Sequence, residues 1–473
     1  GATCCTTMLQ CSAIILLLRY CKYSMHGKAL LLIIVLGIGG SFQHGYQITV
    51  INFINKTWEE RYEQPIKDGV ATFLWSSVVG FYGLGGFAGS LNAYIHNIIT
   101  AAIFMLTSKT AKSFEMVFIA RFLYGLSAGL GVNVQSIYLG ESCLKEVRGM
   151  VILTAATFFS MGKFCGQFIG LGELLGREHL WHILLSFSSC FAVVHLLLLP
   201  FLPEAPRYLV IERNDKELCR KALQSLWGEG NYKVEIEEML LEQAAIRGKH
   251  TKNMLELLRD RSVRWQVITG LTFTSFLMPL QVNVFTFSIF TEAGVPLDKI
   301  PYVTLGLGIS EVTTSVTCVS PREHAALSLA GRNCLCVIAG LSWQPSHVSV
   351  GSLLSKNMFL CTEPSHGEYV LVIPFIHESF VQSHRPAAFA LVGCLRWFEF
   401  WVIGTVFPFL LNFLKSFCFV LSVATCLAAA LFFFFLIPET KGKTVLQISN
   451  EFKKFPVWRT PSSDKNIIME TRF

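Results

Sequence analysis

The sequence predicts an all-α, polytopic membrane protein, and three observations carry that prediction. Leu30 to Ile54, Ile183 to Leu202 and Phe417 to Ile437 are nearly free of charge over lengths that match a bilayer. Only 15% of the 473 residues are charged while 52% are hydrophobic, against about 25% charged in an ordinary soluble domain. The apolar runs also recur along the whole length, which a cleaved leader cannot explain. They are continuous and lack the period-two alternation of a transmembrane β-barrel. Twelve spans of about 20 residues need roughly 240 residues, close to half of this chain.

Taken in order, residues 1–27 form an N-terminal segment that does not begin with Met. Its short apolar run gives way to Arg19 and Lys22, and it reads as a fragment edge or a gene-model error. The first span is predicted from Lys28 to Ile54. A polar loop to Gly69 follows, then a second span from Val70 to Tyr94. The loop carries Asn55-Lys56-Thr57, a glycosylation acceptor if it faces outward. Asn97 to Leu106 is too short for a third span as it stands. Phe114–Leu139, Val151–Leu171 and Ile183–Leu202 complete a first half at 28–202. The composition then changes sharply: residues 203–264 are charged and helix-favouring, and read as a water-exposed helical linker. A second half, 265–437, resumes with Trp265–Phe290 and Tyr302–Val319. It becomes irregular from Ser320 to Ile376 and ends with Ala387–Leu411 and Phe417–Ile437. The tail is 438–473. Lys145, Arg148, the linker and the tail from Lys441 are basic, so the positive-inside rule predicts all of them, with both termini, in the cytoplasm and Asn55 outside.

The net charge of +7 is modest, with 39 Lys+Arg against 32 Asp+Glu and no basic cluster interleaved with aromatics. Nucleic acid is therefore not an expected partner. Of the 15 cysteines, Cys165, Cys190, Cys318, Cys394, Cys418 and Cys426 lie in apolar runs as small hydrophobes. Cys4-Cys5 and Cys334-Leu335-Cys336 lack partners at zinc spacing, so neither a metal nor a cofactor is expected. No phosphate-binding glycine loop, paired carboxylates or Ser/His/Asp arrangement points to an enzyme.

Charged punctuation repeats between the halves. Glu378 and Arg385 each lie 237 residues beyond Glu141 and Arg148, and Pro438-Glu439 lies 235 beyond Pro203-Glu204. Two six-helix repeats joined by a linker explain that agreement. Glu and Arg at cytoplasmic helix ends can pair across the halves when the pathway is shut inside, and breaking those pairs opens it. The alternative is that such charges merely face water and headgroups.

The motifs then resemble those of the facilitative sugar transporters of the major facilitator superfamily, and within them the fructose-transporter-like class. They are Gly40-Ser41-Phe42-Gln43-His44-Gly45-Tyr46, Gly85-Gly86-Phe87-Ala88-Gly89-Ser90, Arg121-Phe122-Leu123-Tyr124-Gly125 and Tyr138-Leu139-Gly140-Glu141 with Arg148-Gly149. They continue with Pro203-Glu204-Ala205-Pro206-Arg207-Tyr208-Leu209, Arg264-Trp265-Gln266, Ala293-Gly294-Val295-Pro296 and Pro438-Glu439-Thr440-Lys441-Gly442. The resemblance implies the major facilitator fold with two pseudo-symmetric halves and nominally 12 helices. It also implies uniport of a hexose such as fructose or glucose across the plasma membrane by alternating access. It implies a cytoplasmic gate drawn from Arg121, Glu141, Arg148, Glu204, Arg207, Arg264, Arg332, Glu378, Arg385 and Glu439. The partners implied are the hexose and the lipid bilayer; oligomeric state is left open.

A sugar presents hydroxyls that both donate and accept, so its site needs amides and indoles. By resemblance these are Gln43 and His44 on the first span, Gln167 on the fifth, Asn283 on the seventh and Trp397 on the eleventh; the family's paired glutamines before Asn283 are missing, and Gln281 is the one residue that can substitute for them. An amide inside an apolar span otherwise serves as a helix-to-helix hydrogen bond, and His44 could equally be a packed core histidine. Some family motifs are absent. Asn92 to Thr100 stands where Asp-Arg-x-Gly-Arg-Arg follows the second span, and nothing between Leu341 and Ile376 matches the Gly-Pro-rich tenth span. Charges have entered spans as well: Lys163 shares a helix face with Gln167 four residues on. Either it pairs with Glu311 of the eighth span or it snorkels out. Arg396 and Glu399 are at local pairing distance on the eleventh. The alternative to a transporter is a non-transporting sensor, scaffold or decayed member of the same fold.

Overall fold

A computed structural model describes residues 28–53, 68–91, 97–111, 115–144, 148–177, 180–211, 213–246, 253–260, 263–277, 300–318, 372–380 and 384–414, with isolated positions between 285 and 299 and at 428 and 432. Among these residues the regular structure is helical, with no strand.

Six helices form the first half. They are α1 (Ala29–Thr49), α2 (Asp68–Leu91), α3 (Asn97–Ala111), α4 (Glu115–Ser142), α5 (Arg148–Ile169) and α6 (Trp181–Phe201). Helix α1 carries a π-helical turn at Ile38–Phe42. Both the backbone N–H and the hydroxyl of Ser41 donate to Gln135 Oε1 of α4, at 2.7 and 2.6 Å, which holds that wider turn against its neighbour. The expected spans and the observed helices agree within a few residues, because a charge-free run of bilayer length has few other ways to satisfy its backbone. Helix α3 is the exception. The apolar count stops at Leu106, yet the helix runs through Lys109 to Ala111, 15 residues in all. It rises about 22 Å, short of a hydrocarbon core of about 30 Å.

The linker folds as four short helices, α7 (Pro206–Ile211), α8 (Lys216–Trp227), α9 (Lys233–Ile246) and α10 (Met254–Arg259). Asp215 caps α8 by accepting from the Leu218 N–H at 2.9 Å, and Gly228 ends it with a positive φ of 85°. Leu209, Val210, Cys219, Leu223 and Met239 form a small core of their own. Trp227 Nε1 donates to Ser142 O at 3.0 Å and the Tyr138 hydroxyl donates to Pro203 O, so the linker is tied to the end of α4.

The second half contributes α11 (Arg264–Leu277), α12 (Ile300–Cys318), α13 (Ile373–Ser379) and α14 (Arg385–Leu414). Helix α2 packs against α4 and α14, α5 against α1 and α12, and α3 against α4 and α6. The halves therefore meet along two seams, α2 with α14 and α5 with α12. Among the described residues, five helices are long and apolar enough to cross a membrane. The predicted terminal segments 1–27 and 438–473, the span at Phe417 to Ile437, and the stretch from Ser320 to Leu371 lie outside the described residues or almost wholly so.

Candidate functional site

The site grows from three helices whose inward faces meet. On α1, the turn after the π-helical segment turns Gln43 and His44 inward, and both are buried. On α5, Phe159, Lys163 and Gln167 recur every fourth residue and so form one stripe. On α14, Trp397 stands twelve residues into the helix and is 1% exposed.

These residues touch in sequence. The His44 ring lies 4.8 Å from the Trp397 ring, 5.2 Å from Phe159 and 6.0 Å from Tyr82, and His44 Nδ1 is 2.9 Å from the Tyr82 hydroxyl. Tyr82 and Phe400 close edge-on around Trp397 at 5.5 and 6.0 Å. Lys163 Nζ sits 5.3 Å from the Phe159 ring centre. The result is an aromatic wall that continues from the first half into the second, broken by polar atoms. Gln43 Nε2, Gln167 Oε1 and Trp397 Nε1 are buried with no hydrogen-bond partner among the described residues. A buried amide or indole without a partner costs about 1–3 kcal/mol, so such atoms are suited to a ligand that supplies hydroxyls. Gln167 Oε1 lies close to α12 because residue 308 is glycine: a Cβ there would stand 2.0 Å from it.

Of the predicted site residues, His44 and Trp397 meet on this wall, Gln167 lies on the same α5 stripe as Phe159 and against α12, and Gln43 is buried next to His44 on α1, while Gln281 and Asn283 lie outside the described residues. Tyr82, Phe159 and Phe400 are members the sequence reading omitted. An aromatic in an apolar helix is so often plain core that only the geometry separates them.

Lys163 pairs with Glu311. Nζ and Oε2 are 2.6 Å apart, and the two side chains are 1% and 3% exposed. The pair joins α5 to α12 across the halves, beside Gln167. Glu399 of α14 accepts from Ser275 Oγ of α11 at 2.6 Å, and the Arg396 guanidinium lies 5.3 Å from the Trp397 ring centre.

The expected gate residues divide. Glu141 is buried at the end of α4, and Arg385 at the start of α14 donates to His377 O and Phe380 O at 3.2 and 3.1 Å. His377 of α13 brings its Nε2 within 2.9 Å of Ser136 O on α4, so the halves are in contact at this end, through a residue not singled out from sequence. Arg207 is buried and Arg264 half-buried near the linker. Glu204 pairs locally with Arg213 at 3.0 Å, both about half exposed. Arg148 and Glu378 stand on α5 and α13 with side chains outside the described set, and Arg332, Glu439 and Asn55 lie outside the described residues. Arg121 is not brought to the others. It lies twenty residues before Glu141 on α4, about 30 Å along the axis. There it donates to Gln47 Oε1 and Gln47 O at 3.0 and 3.2 Å and covers the Tyr82 ring at 4.4 Å. A guanidinium buried this deeply finds its partners inside its own half, which is why the motif placed it with the gate and the fold did not.

Comparison with known proteins agrees with this architecture. A family profile described as Sugar (and other) transporter matches residues 32–452. Solute carrier family 2, facilitated glucose transporter member 9 of Mus musculus is 35% identical over 458 residues, covering 88% of this chain and 84% of that protein. Member 11 of Homo sapiens is 34% identical over 493 residues, covering 94% and 98%, and member 5 of Ovis aries is 34% identical over 461, covering 89% and 91%. Among solved structures, the proton:xylose symporter XylE bound to 6-bromo-6-deoxy-D-glucose superposes with a TM-score of 0.70 at 18% identity, covering 89% of this chain and 98% of that one, a likeness of fold: the major facilitator arrangement of two six-helix halves. The chain is a multi-pass membrane protein and belongs to the Sugar (and other) transporter family.

Proposed function

We propose that this chain moves a hexose, fructose or glucose, down its gradient by uniport. The bodies 28–202 and 265–437 rock about a central site while the linker 203–264 and both termini stay in the cytoplasm. One observation supports the reading: Gln43 Nε2, Gln167 Oε1 and Trp397 Nε1 are buried polar atoms with no partner among the described residues, carried by α1, α5 and α14, the three helices whose His44, Phe159 and Trp397 rings meet. Neutral amides and an indole match hydroxyls in either role, and the ring faces cover the C–H side of a pyranose or furanose. The relatives named as facilitated glucose transporters support the substrate class.

The contact of His377 with Ser136 supports a pathway shut at the linker end, with Glu141, Arg148, Glu378 and Arg385 as the charges that part when it opens. Residence in the plasma membrane and a glycan at Asn55 belong to the same reading.

The test is uptake of labelled fructose and glucose into vesicles containing the purified chain, beside Gln167→Ala and empty vesicles. The expected result is saturable uptake that Gln167→Ala weakens at unchanged stability. Uptake by folded native chain no faster than by empty vesicles overturns the reading.

A further inference from the structure

The two seams between the halves differ in construction. Along α2 and α14, Gly80, Gly83 and Gly86 recur every third residue and face Thr405, Trp401 and Trp397. A Cβ on Gly83 would stand 2.8 Å from Trp401 Cα, and one on Gly86 2.1 Å from the Trp397 ring. Backbone there lies directly against indole and backbone, and beside the glycines Tyr82 and Phe87 meet the rings of Trp397, Phe400 and Phe398. Along α5 and α12 the halves are instead joined by Lys163 and Glu311, 2.6 Å apart and 1% and 3% exposed.

We propose that Lys163 and Glu311 act as a pin: they stay joined through the transport cycle and make the α5–α12 seam the axis of rocking. The inference rests on the transport reading above. Separating a buried ion pair leaves two charges in a low-dielectric wall, a strongly unfavourable event. A cycle that keeps the pair closed avoids that cost at every turnover. The pin also fixes register. Glu311 lies three residues beyond Gly308, the residue Gln167 Oε1 approaches, and Lys163 lies four before Gln167, so one ion pair holds the Gln167 amide at a set height on α12. Lys163 and Glu311 are positioning residues in this account, since they act through the seam and the height of Gln167.

The experiment compares the native chain, the Lys163→Met/Glu311→Met variant, Lys163→Glu and the swapped Lys163→Glu/Glu311→Lys, each reconstituted, with turnover and KM measured for whichever labelled hexose the native chain takes. Replacing a buried pair by apolar side chains of similar bulk leaves folding near neutral, so the methionine variant isolates the pin. The expected result is a folded methionine variant with turnover at least tenfold slower and KM within threefold of native. Turnover is lost in Lys163→Glu and returns to within threefold in the swap. Native turnover in the methionine variant would reduce the pair to packing. Faster turnover would make it a latch that breaks in each cycle, and either result overturns the pin. Should the methionine variant fail to fold, a folded swap that still turns over tenfold slower overturns it instead. Native uptake no faster than empty vesicles is a different outcome, one that removes the transport reading and the pin with it.

Discussion

Gln47 is the residue whose loss the structure prices most directly. Its carboxamide uses both ends. Oε1 accepts from Arg121 of α4 at 3.0 Å, while Nε2 donates to Ser188 Oγ of α6 at 2.7 Å and, more weakly, to Leu185 O at 3.3 Å. One side chain of α1 thus ties two other helices in a place where water offers no substitute. In Gln47→Leu, Arg121 keeps the residue-47 carbonyl at 3.2 Å and Val78 O at 3.5 Å, so its charge is not stripped bare. The loss is one bond from a charged donor, about 1.5–3 kcal/mol, plus one neutral amide-to-hydroxyl bond of about 1 kcal/mol. The expected destabilisation is therefore about 2.5–4 kcal/mol. It is measured by unfolding the detergent-solubilised chain with denaturant and following tryptophan fluorescence. Ser188→Ala alone should cost about 1 kcal/mol, and the double variant should show a coupling of about 1 kcal/mol, because the same bond is removed twice. A Gln47→Leu chain within about 0.5 kcal/mol of native, or a pair with no coupling, refutes the reasoning: Gln47 would then be filling space rather than bridging helices.

Tyr82→Phe removes the hydroxyl 2.9 Å from His44 Nδ1 and should cost about 1 kcal/mol of stability, with uptake reporting whether the His44 ring stays in place. Gly86→Val places a Cβ 2.1 Å from the Trp397 ring, so it should abolish uptake and lower the unfolding temperature. Gly149→Ala, with nothing within 4 Å of its Cβ, should leave both unchanged. Burial pushes the Cys219 thiol up from its ordinary 9.0 to about 11. At pH 8 only about one thiol in a thousand is then thiolate, against about one in ten when unfolded, and maleimide labelling of Cys219 should be about a hundredfold slower in the folded chain. The sign for stability follows: a raised thiol favours the fold while protonated, an advantage present below pH 9 and lost as the pH climbs towards 11.

Much of this was legible in the chain itself, for reasons that differ by element. Helices α1, α4, α5, α6 and α14 follow from apolar runs that a bilayer leaves no alternative but to coil. Helix α3 was undercounted because hydropathy stops at the first charge, whereas backbone hydrogen bonds continue through Lys109 to Ala111. For Lys163 the residues alone leave two readings, a pair with Glu311 or a side chain that snorkels out, and the structure takes the pair. Arg121 misled: its motif is shared by a set of residues that recur together in sequence, and nothing in the spacing says that Gln47 Oε1 and the Gln47 carbonyl would accept its hydrogen bonds. Tyr82, Phe159 and His377 were invisible for the opposite reason. Each is an ordinary occupant of an apolar helix until the neighbouring helix is in place.

The π-helical turn at Ile38–Phe42 gives α1 two independent phases. Each helical residue turns the chain by about 100°, and a π-turn accommodates one residue more than an α-turn. The segment before it, Ala29–Gly37, and the segment after it, Gln43–Thr49, are therefore rotated relative to each other by roughly one residue's worth. Deleting a single residue within 38–42 would regularise the helix and leave its hydrophobicity almost untouched. It would nonetheless rotate Gln43, His44 and Gln47 together, so that an in-frame change invisible to composition would take His44 from the aromatic wall and Gln47 from Arg121 and Ser188 at once.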